Sequence, residues 1–147
     1  FILLHSFAHA LMRQVAIGCG YAAASIRERI YSRDPSDDKE AMAGVLFYTA
    51  APDSEGTLGG LVNMGREARM RVQVLQALKR LRLCASDPLC AEHDPGLDER
   101  SLHGAACHAC MFVPETSCER NNKYLDRGTL VQSVSNRVTP FFGGLDD

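Results

Sequence analysis

An α+β fold is predicted: a small antiparallel sheet packed with helices, then a C-terminal segment without regular periodicity. Three observations carry this. Apolar residues recur at helical spacing in two stretches, 2–17 and 65–83. The run GVLFYTA at 44–50 is β-branched, aromatic and aliphatic, as strands are. Five of the six cysteines fall between positions 84 and 118.

In 2–17, Leu4, Ala8, Leu11 and Val15 share one face with Phe7 beside them, and Gly18 and Gly20 end the helix. In 25–31, Ile26, Glu28 and Ile30 alternate with Arg27, Arg29 and Tyr31, the period of a strand. Residues 32–43 carry Pro35 and four acidic residues and read as an exposed connection. The buried strand 44–50 then pairs antiparallel with 25–31. PDSEGTLGGLV follows, with Gly56, Gly59 and Gly60. It has neither the G-x-G-x-x-G spacing nor a following G-K-[ST], so it reads as a tight turn between strand and helix, not a phosphate cradle.

The 65–83 helix buries Ala68, Val72, Leu75, Leu78 and Leu81, with Arg66, Arg69, Gln73, Gln76 and Arg80 on the opposite arc. A solvated face accounts for such a stripe; Arg66, Arg69 and Arg80 are also the candidates for non-specific phosphate contact. A last helix is expected over 121–136 through Leu125, Leu130, Val131 and Val134, followed by a docked aromatic pair in PFFGGLDD and a frayed end.

The chain has 147 residues, 46% of them hydrophobic, enough for one domain with a real core. Its net charge of −2 excludes a global basic field for nucleic acid or membrane. No apolar run reads as long enough to span a bilayer, and no signal peptide is apparent. The chain opens on Phe1 and a hydrophobic stretch, which is expected of a C-terminal fragment of a longer protein.

The cysteine spacing is Cys84-x5-Cys90, sixteen residues, Cys107-x2-Cys110, then x7 and Cys118. Disulfides would suit a small secreted protein. A chain this long, with an ordinary core and a C-x-x-C pair, fits metal better. Zinc takes four thiolate or imidazole ligands at tetrahedral corners, and a C-x-x-C turn aims two sulfurs at one point. Cys118 and either Cys90 or Cys84 complete the set, with His93 or His103 as substitutes; His108, inside the turn, should point away. Such a closed site organises a polar loop and contributes folding free energy directly. Cys19, alone between glycines, reads as a small buried residue.

GAACHAC, the gap to Cys118 and ERNNKYLDR resemble the end of the MrfA-like zinc-binding domain. There a G-C-x-x-C pair, a later Cys and an N-x-x-L-D-[KR] helix follow one another. The matching positions are Cys107, Cys110, Cys118, Asn122, Leu125, Asp126 and Arg127. FYTAAPDSEGTLGGLV resembles the strand and glycine-rich turn of the same domain, so the resemblance covers about 1–135. It implies structural Zn2+ on Cys90, Cys107, Cys110 and Cys118. Cys84 is the alternative to Cys90, because a longer insert precedes the pair here than in the DNA-repair helicases of the family.

The domain sits at the C-terminus of bacterial helicases and helicase partners, and CASDPLCAEH with GAACHACMFVPETSCE looks most like the DISARM anti-phage branch. The resemblance implies a non-catalytic, cytoplasmic accessory module. Its partners would be a helicase subunit or the rest of its own chain, with DNA reached through the assembly and no membrane. No Walker or helicase motif occurs, so any ATPase lies elsewhere. The rival expectation is a metal-dependent phosphodiesterase or nuclease. It would use His5 and His9, spaced i, i+4, with Asp53, Ser54 and Glu55 of the PDSEGT loop.

Overall fold

The computed structural model describes residues 1–36, 38–49, 58–97 and 101–144. Among them run α1 (Ile2–Cys19), β1 (Ile26–Arg33), β2 (Met42–Thr49), α2 (Leu58–Met64) and α3 (Glu67–Leu81), with 3-10 turns at Ala23–Ser25, Glu115–Ser117 and Arg127–Thr129. Helices around a two-stranded antiparallel sheet give the expected α+β class.

Helix α1 is the axis of the fold. It stops at Gly20, whose φ of 71° only glycine adopts freely, and the Gly20 and Tyr21 N–H groups return to the carbonyls of Ile17 and Ala16. One side, through Ala10, joins Ala77, Leu78 and Leu81 of α3 and Met111, Leu125 and Leu130 of the C-terminal segment. The other, through Leu11, Met12 and Val15, joins Ile26 of β1, Val113 and Cys118. A helix covered on both sides must be apolar nearly all round. Its length and mean hydropathy therefore reach those of a membrane span, contrary to the sequence expectation. Its buried residues nevertheless include His5, Ser6, His9 and Gln14, packed against protein.

In β1, Ile26, Glu28 and Ile30 face inward and Arg27, Arg29 and Tyr31 outward, as the alternation predicts. The register pairs Ile26 with Thr49 and Arg33 with Met42. The second strand is less buried than expected. A two-stranded sheet has one covered face, so Val45 and Phe47 are half-buried while Leu46 and Tyr48 are exposed.

Three further expectations are corrected. Gly59 and Gly60 belong to a helix, not a turn. A Cβ at Gly60 would come 3.0 Å from the Tyr21 hydroxyl oxygen, so glycine lets α2 lie close to the residues after α1. In α3 the inward series is Met70, Val74, Ala77, Leu78 and Leu81, while Ala68, Val72 and Leu75 face solvent. The face is turned because the Gln14 amide donates to Gln73 and Gln76 across the α1–α3 seam, at 3.1 and 2.7 Å.

Residues 121–136 form no long helix. Asn121, Asn122 and Tyr124 have φ of 52°, 60° and 60°, which a right-handed helix excludes. Side chains compete with helical bonding here. The Asn122 amide brackets the Val113 N–H and C=O, and Asp126 accepts from the N–H groups of Gly128 and Ala105. Leu125, Leu130 and Val131 are buried, but from an irregular chain, and Val134 is exposed. In the tail, Phe142 docks against Phe7 and Phe141 remains exposed; 145–147 lie outside the described residues.

Candidate metal centre

Cys84 follows α3, Cys90 lies in the turns beyond it, and Cys107 and Cys110 share one tight turn. The Cys107 carbonyl accepts from the N–H groups of Cys110, Met111 and Phe112 at 3.2, 2.9 and 3.0 Å, which curls the turn and aims both sulfurs inward. Sγ atoms lie 3.4 Å apart in Cys84–Cys107, 3.6 Å in Cys90–Cys110 and 3.7 Å in Cys107–Cys110. All four are within 4.8 Å of one another. A Zn–S bond of about 2.3 Å sets tetrahedral sulfur edges of about 3.8 Å, whereas a disulfide needs about 2.05 Å. All six cysteines are free.

The neighbours fit a cation. The adjoining Cys110 sulfur and burial push the Cys90 thiol up, and burial raises Cys84. Burial also opposes the Cys107 thiolate, but the backbone N–H of Cys110 and the Cys84 thiol outweigh it and bring Cys107 down to about 7. Crowded sulfurs that resist ionising together are what a bound dication relieves. Bound there, Zn2+ would supply a tetrahedral cross-link between the end of α3 and the C-x-x-C turn. Asp87 fixes the first ligand by accepting from the Cys84 N–H at 2.9 Å, and the Ser86 N–H points at the Cys84 sulfur.

Cys118 does not join these sulfurs. It lies beneath α1, its Sγ 3.2 Å from His5 Nε2. Glu28 Oε1, on β1, lies 2.9 Å from the same nitrogen and 3.2 Å from His9 Nε2. These four residues are buried and form a separate cluster. Of the ligand set expected from the sequence, Cys90, Cys107 and Cys110 therefore meet, and Cys84 occupies the place expected for Cys118. His93 and His103 stack on each other at 4.5 Å, and His108 packs against Phe112, all outside the sulfur cluster.

Residues 7–111 match the family model of the MrfA Zn-binding domain. The chain belongs to this family. It is also 44% identical over 145 residues to DISARM protein DrmB of Bacillus paralicheniformis, covering 99% of this chain and 25% of that relative. The chain thus spans about a quarter of the length of the curated relative it matches. The matched span of the zinc-binding family contains Cys84, Cys90, Cys107 and Cys110; it begins after His5 and ends before Cys118.

The Asn122–Arg127 stretch, beyond the matched span, acts as a clasp, not a helix. Asn122 holds Val113, Leu125 fills the core, and Asp126 N–H donates to Ser6 Oγ of α1 at 2.8 Å. Arg69 and Arg80 are exposed on α3 and Arg66 just before it, and Val72 and Leu75 are exposed on the same helix. Asp53, Ser54 and Glu55 lie outside the described residues. Their supposed partners, His5 and His9, are fully enclosed and turned toward β1. Glu28 was missed as a site residue. Its signal was present: a carboxylate alternating in phase with two buried isoleucines has to find a partner inside.

Proposed function

We propose that this chain is a non-catalytic, zinc-stapled accessory module of a larger bacterial protein that supports a helicase assembly on DNA during anti-phage defence, in the cytoplasm. The convergence of the Cys84, Cys90, Cys107 and Cys110 sulfurs carries the reading. Four protein ligands leave a tetrahedral ion no position for water or substrate, so its role is structural. The similarity to DISARM protein DrmB supports the defence context. The exposed side of α3, with Arg69, Arg80 and the preceding Arg66 together with Val72 and Leu75, is the surface offered to DNA phosphates or to a helicase subunit.

The test is co-purification of the full-length protein with its helicase partner, comparing wild type with Cys107→Ser/Cys110→Ser. Loss of zinc and of helicase association, with the isolated helicase retaining its ATPase, is the expected result. A zinc-depleted protein that still assembles and still restricts phage would refute the structural role.

A further inference from the structure

We propose that His5, His9, Glu28 and Cys118 form a second zinc site, distinct from the four-cysteine centre and joining α1, β1 and the Cys118 loop. One ligand atom from each lies within 4.8 Å of the other three. The closest approaches run from His5 Nε2 to Glu28 Oε1 and Cys118 Sγ, at 2.9 and 3.2 Å, and from His9 Nε2 to Glu28 Oε1, at 3.2 Å. A tetrahedral ion with Zn–N or Zn–O near 2.0 Å and Zn–S near 2.3 Å sets edges of about 3.3–3.6 Å, so a few tenths of an ångström of relaxation seats it. Nitrogen, carboxylate and thiolate together are a donor set that zinc accepts readily.

The imidazoles are oriented for a cation. Spacing i, i+4 puts both rings on one face of α1. His5 Nδ1 lies 3.3 Å from the Tyr124 carbonyl oxygen and His9 Nδ1 3.1 Å from that of Met111. A carbonyl only accepts, so each Nδ1 carries the hydrogen, and in the neutral ring each Nε2 presents its lone pair to Glu28 and Cys118. Outer hydrogen bonds of this kind are the usual support of metal-bound histidine.

The sulfur is prepared as well. Cys118 Sγ accepts from the backbone N–H groups of Arg120 and Asn122, at 3.3 and 3.2 Å, which favours thiolate. Asn122 reaches that position through its left-handed backbone. On Glu28, Oε2 is buried and has no hydrogen-bond partner among the described residues. Lone pairs from four buried side chains aimed at one point repel unless positive charge lies between them. Two neutral imidazoles, one carboxylate and one thiolate neutralise a dication, which suits a site with no solvent around it. The competing account supplies the charge as protons on both histidines. His9 and Glu28 lie inside the span matched by the zinc-binding family and His5 and Cys118 outside it, whereas the four-cysteine cluster lies wholly within it, so the two sites are separate. Four protein ligands leave no open position, which makes it a staple, not a hydrolytic centre.

The deciding experiment is anomalous diffraction at the zinc edge from crystals of wild-type full-length protein, which needs no variant to fold. A peak centred among His5, His9, Glu28 and Cys118 is expected beside a second peak among the four cysteines. The cysteine peak alone overturns the proposal in favour of the proton network. A peak at the histidines alone upholds it while refuting the four-cysteine reading, and neither peak refutes both. In solution, His9→Gln and Cys118→Ser are each expected to lose one equivalent of zinc relative to wild type. Unchanged zinc in both folded variants is the contrary result.

Discussion

Arg127 is completely buried and paired with Asp87. Its guanidinium also donates to the carbonyl oxygens of Leu81 and Arg82, at 2.7 and 3.3 Å. The last carbonyls of a helix lack intrahelical partners, and Arg127 supplies them for α3. Asp87 in turn holds the Cys84 N–H, so one ion pair links the α3 terminus, Cys84 of the sulfur cluster and the Asn122–Arg127 clasp. Burial opposes the Arg127 charge, but Asp87 and the neighbouring Cys90 and Cys110 outweigh it and raise its pKa. Removing one partner of such a pair strands the other. Arg127→Met is expected to cost roughly 3–5 kcal/mol, read from a denaturant midpoint, and to weaken zinc retention. Asp87→Asn in the same background should cost less than it does alone.

Gly104 opens the GAACHAC segment at a point of close approach. A Cβ there would lie 2.7 Å from Asp126 Oδ2 and 3.2 Å from Asp126 Cβ. Asp126 cannot swing aside freely, because Oδ1 accepts from Gly128 N–H at 2.8 Å. Gly104→Ala should therefore destabilise by about 1–3 kcal/mol, as overpacking does. Gly144→Ala, where nothing lies within 4 Å of the added carbon, is the matched control and should be near neutral. Thermal unfolding of the two variants side by side tests this.

The metal-free protein should show a pH dependence that zinc abolishes. Burial opposes the His5 charge, but Cys118 and Glu28 outweigh it and raise His5 from 6.5 to about 9. A group whose pKa is raised on folding stabilises fully below its unfolded value, and that contribution is lost as pH climbs through the folded one. For Glu28 burial is outweighed by His5 and His9, and its pKa falls from 4.5 to about 2. Its contribution is present above 4.5 and lost as pH falls toward 2. Chelator-treated protein should thus lose stability between pH 6.5 and 9 as His5 and the likewise raised His9 shed their protons. Cys118, where burial is outweighed by the histidines and the thiol comes down to about 7, offsets part of that loss between pH 7 and 9. Zinc-loaded protein, with neutral imidazoles as ligands, should hold its stability across that window. Denaturant midpoints of both forms over this range are the check; coincident profiles would contradict it.

The elements with one dominant signal were legible in the sequence. Ile26, Glu28 and Ile30 alternate against Arg27 and Arg29, and the strand lies there in the expected pairing. The C-x-x-C pair likewise announced half of the cysteine centre. Cys90 was read as a third ligand; the fourth was not legible, because spacing along a chain does not say which loop folds back. Cys84 sits 23 residues before Cys107, yet α3 and the Asp87 turn bring its sulfur to 3.4 Å. Cys118, much nearer in sequence, is carried away by the 3-10 turn at Glu115–Ser117 and the left-handed asparagines after it. The same asparagines explain the absent helix at 121–136: apolar spacing at Leu125, Leu130 and Val131 records burial, and an irregular chain can bury at those intervals too.

The exposed arc of α3 supplies the last prediction. Arg66, Arg69 and Arg80 are exposed, and the chain as a whole is slightly acidic, so attraction to DNA must be local. Cationic side chains that neutralise phosphates release counterions. Each phosphate left unneutralised flattens the dependence of log affinity on log salt by about 0.9 for duplex and about 0.7 for single strands. Arg66→Glu/Arg69→Glu/Arg80→Glu in the full assembly should weaken DNA binding irrespective of sequence and reduce that salt slope by about 2–3. Zinc content and thermal stability should be unchanged, since none of the three side chains enters the core. A variant with wild-type affinity and slope would leave Val72, Leu75 and their arginine neighbours as a protein-facing surface, and its association with the helicase would then be the property to measure.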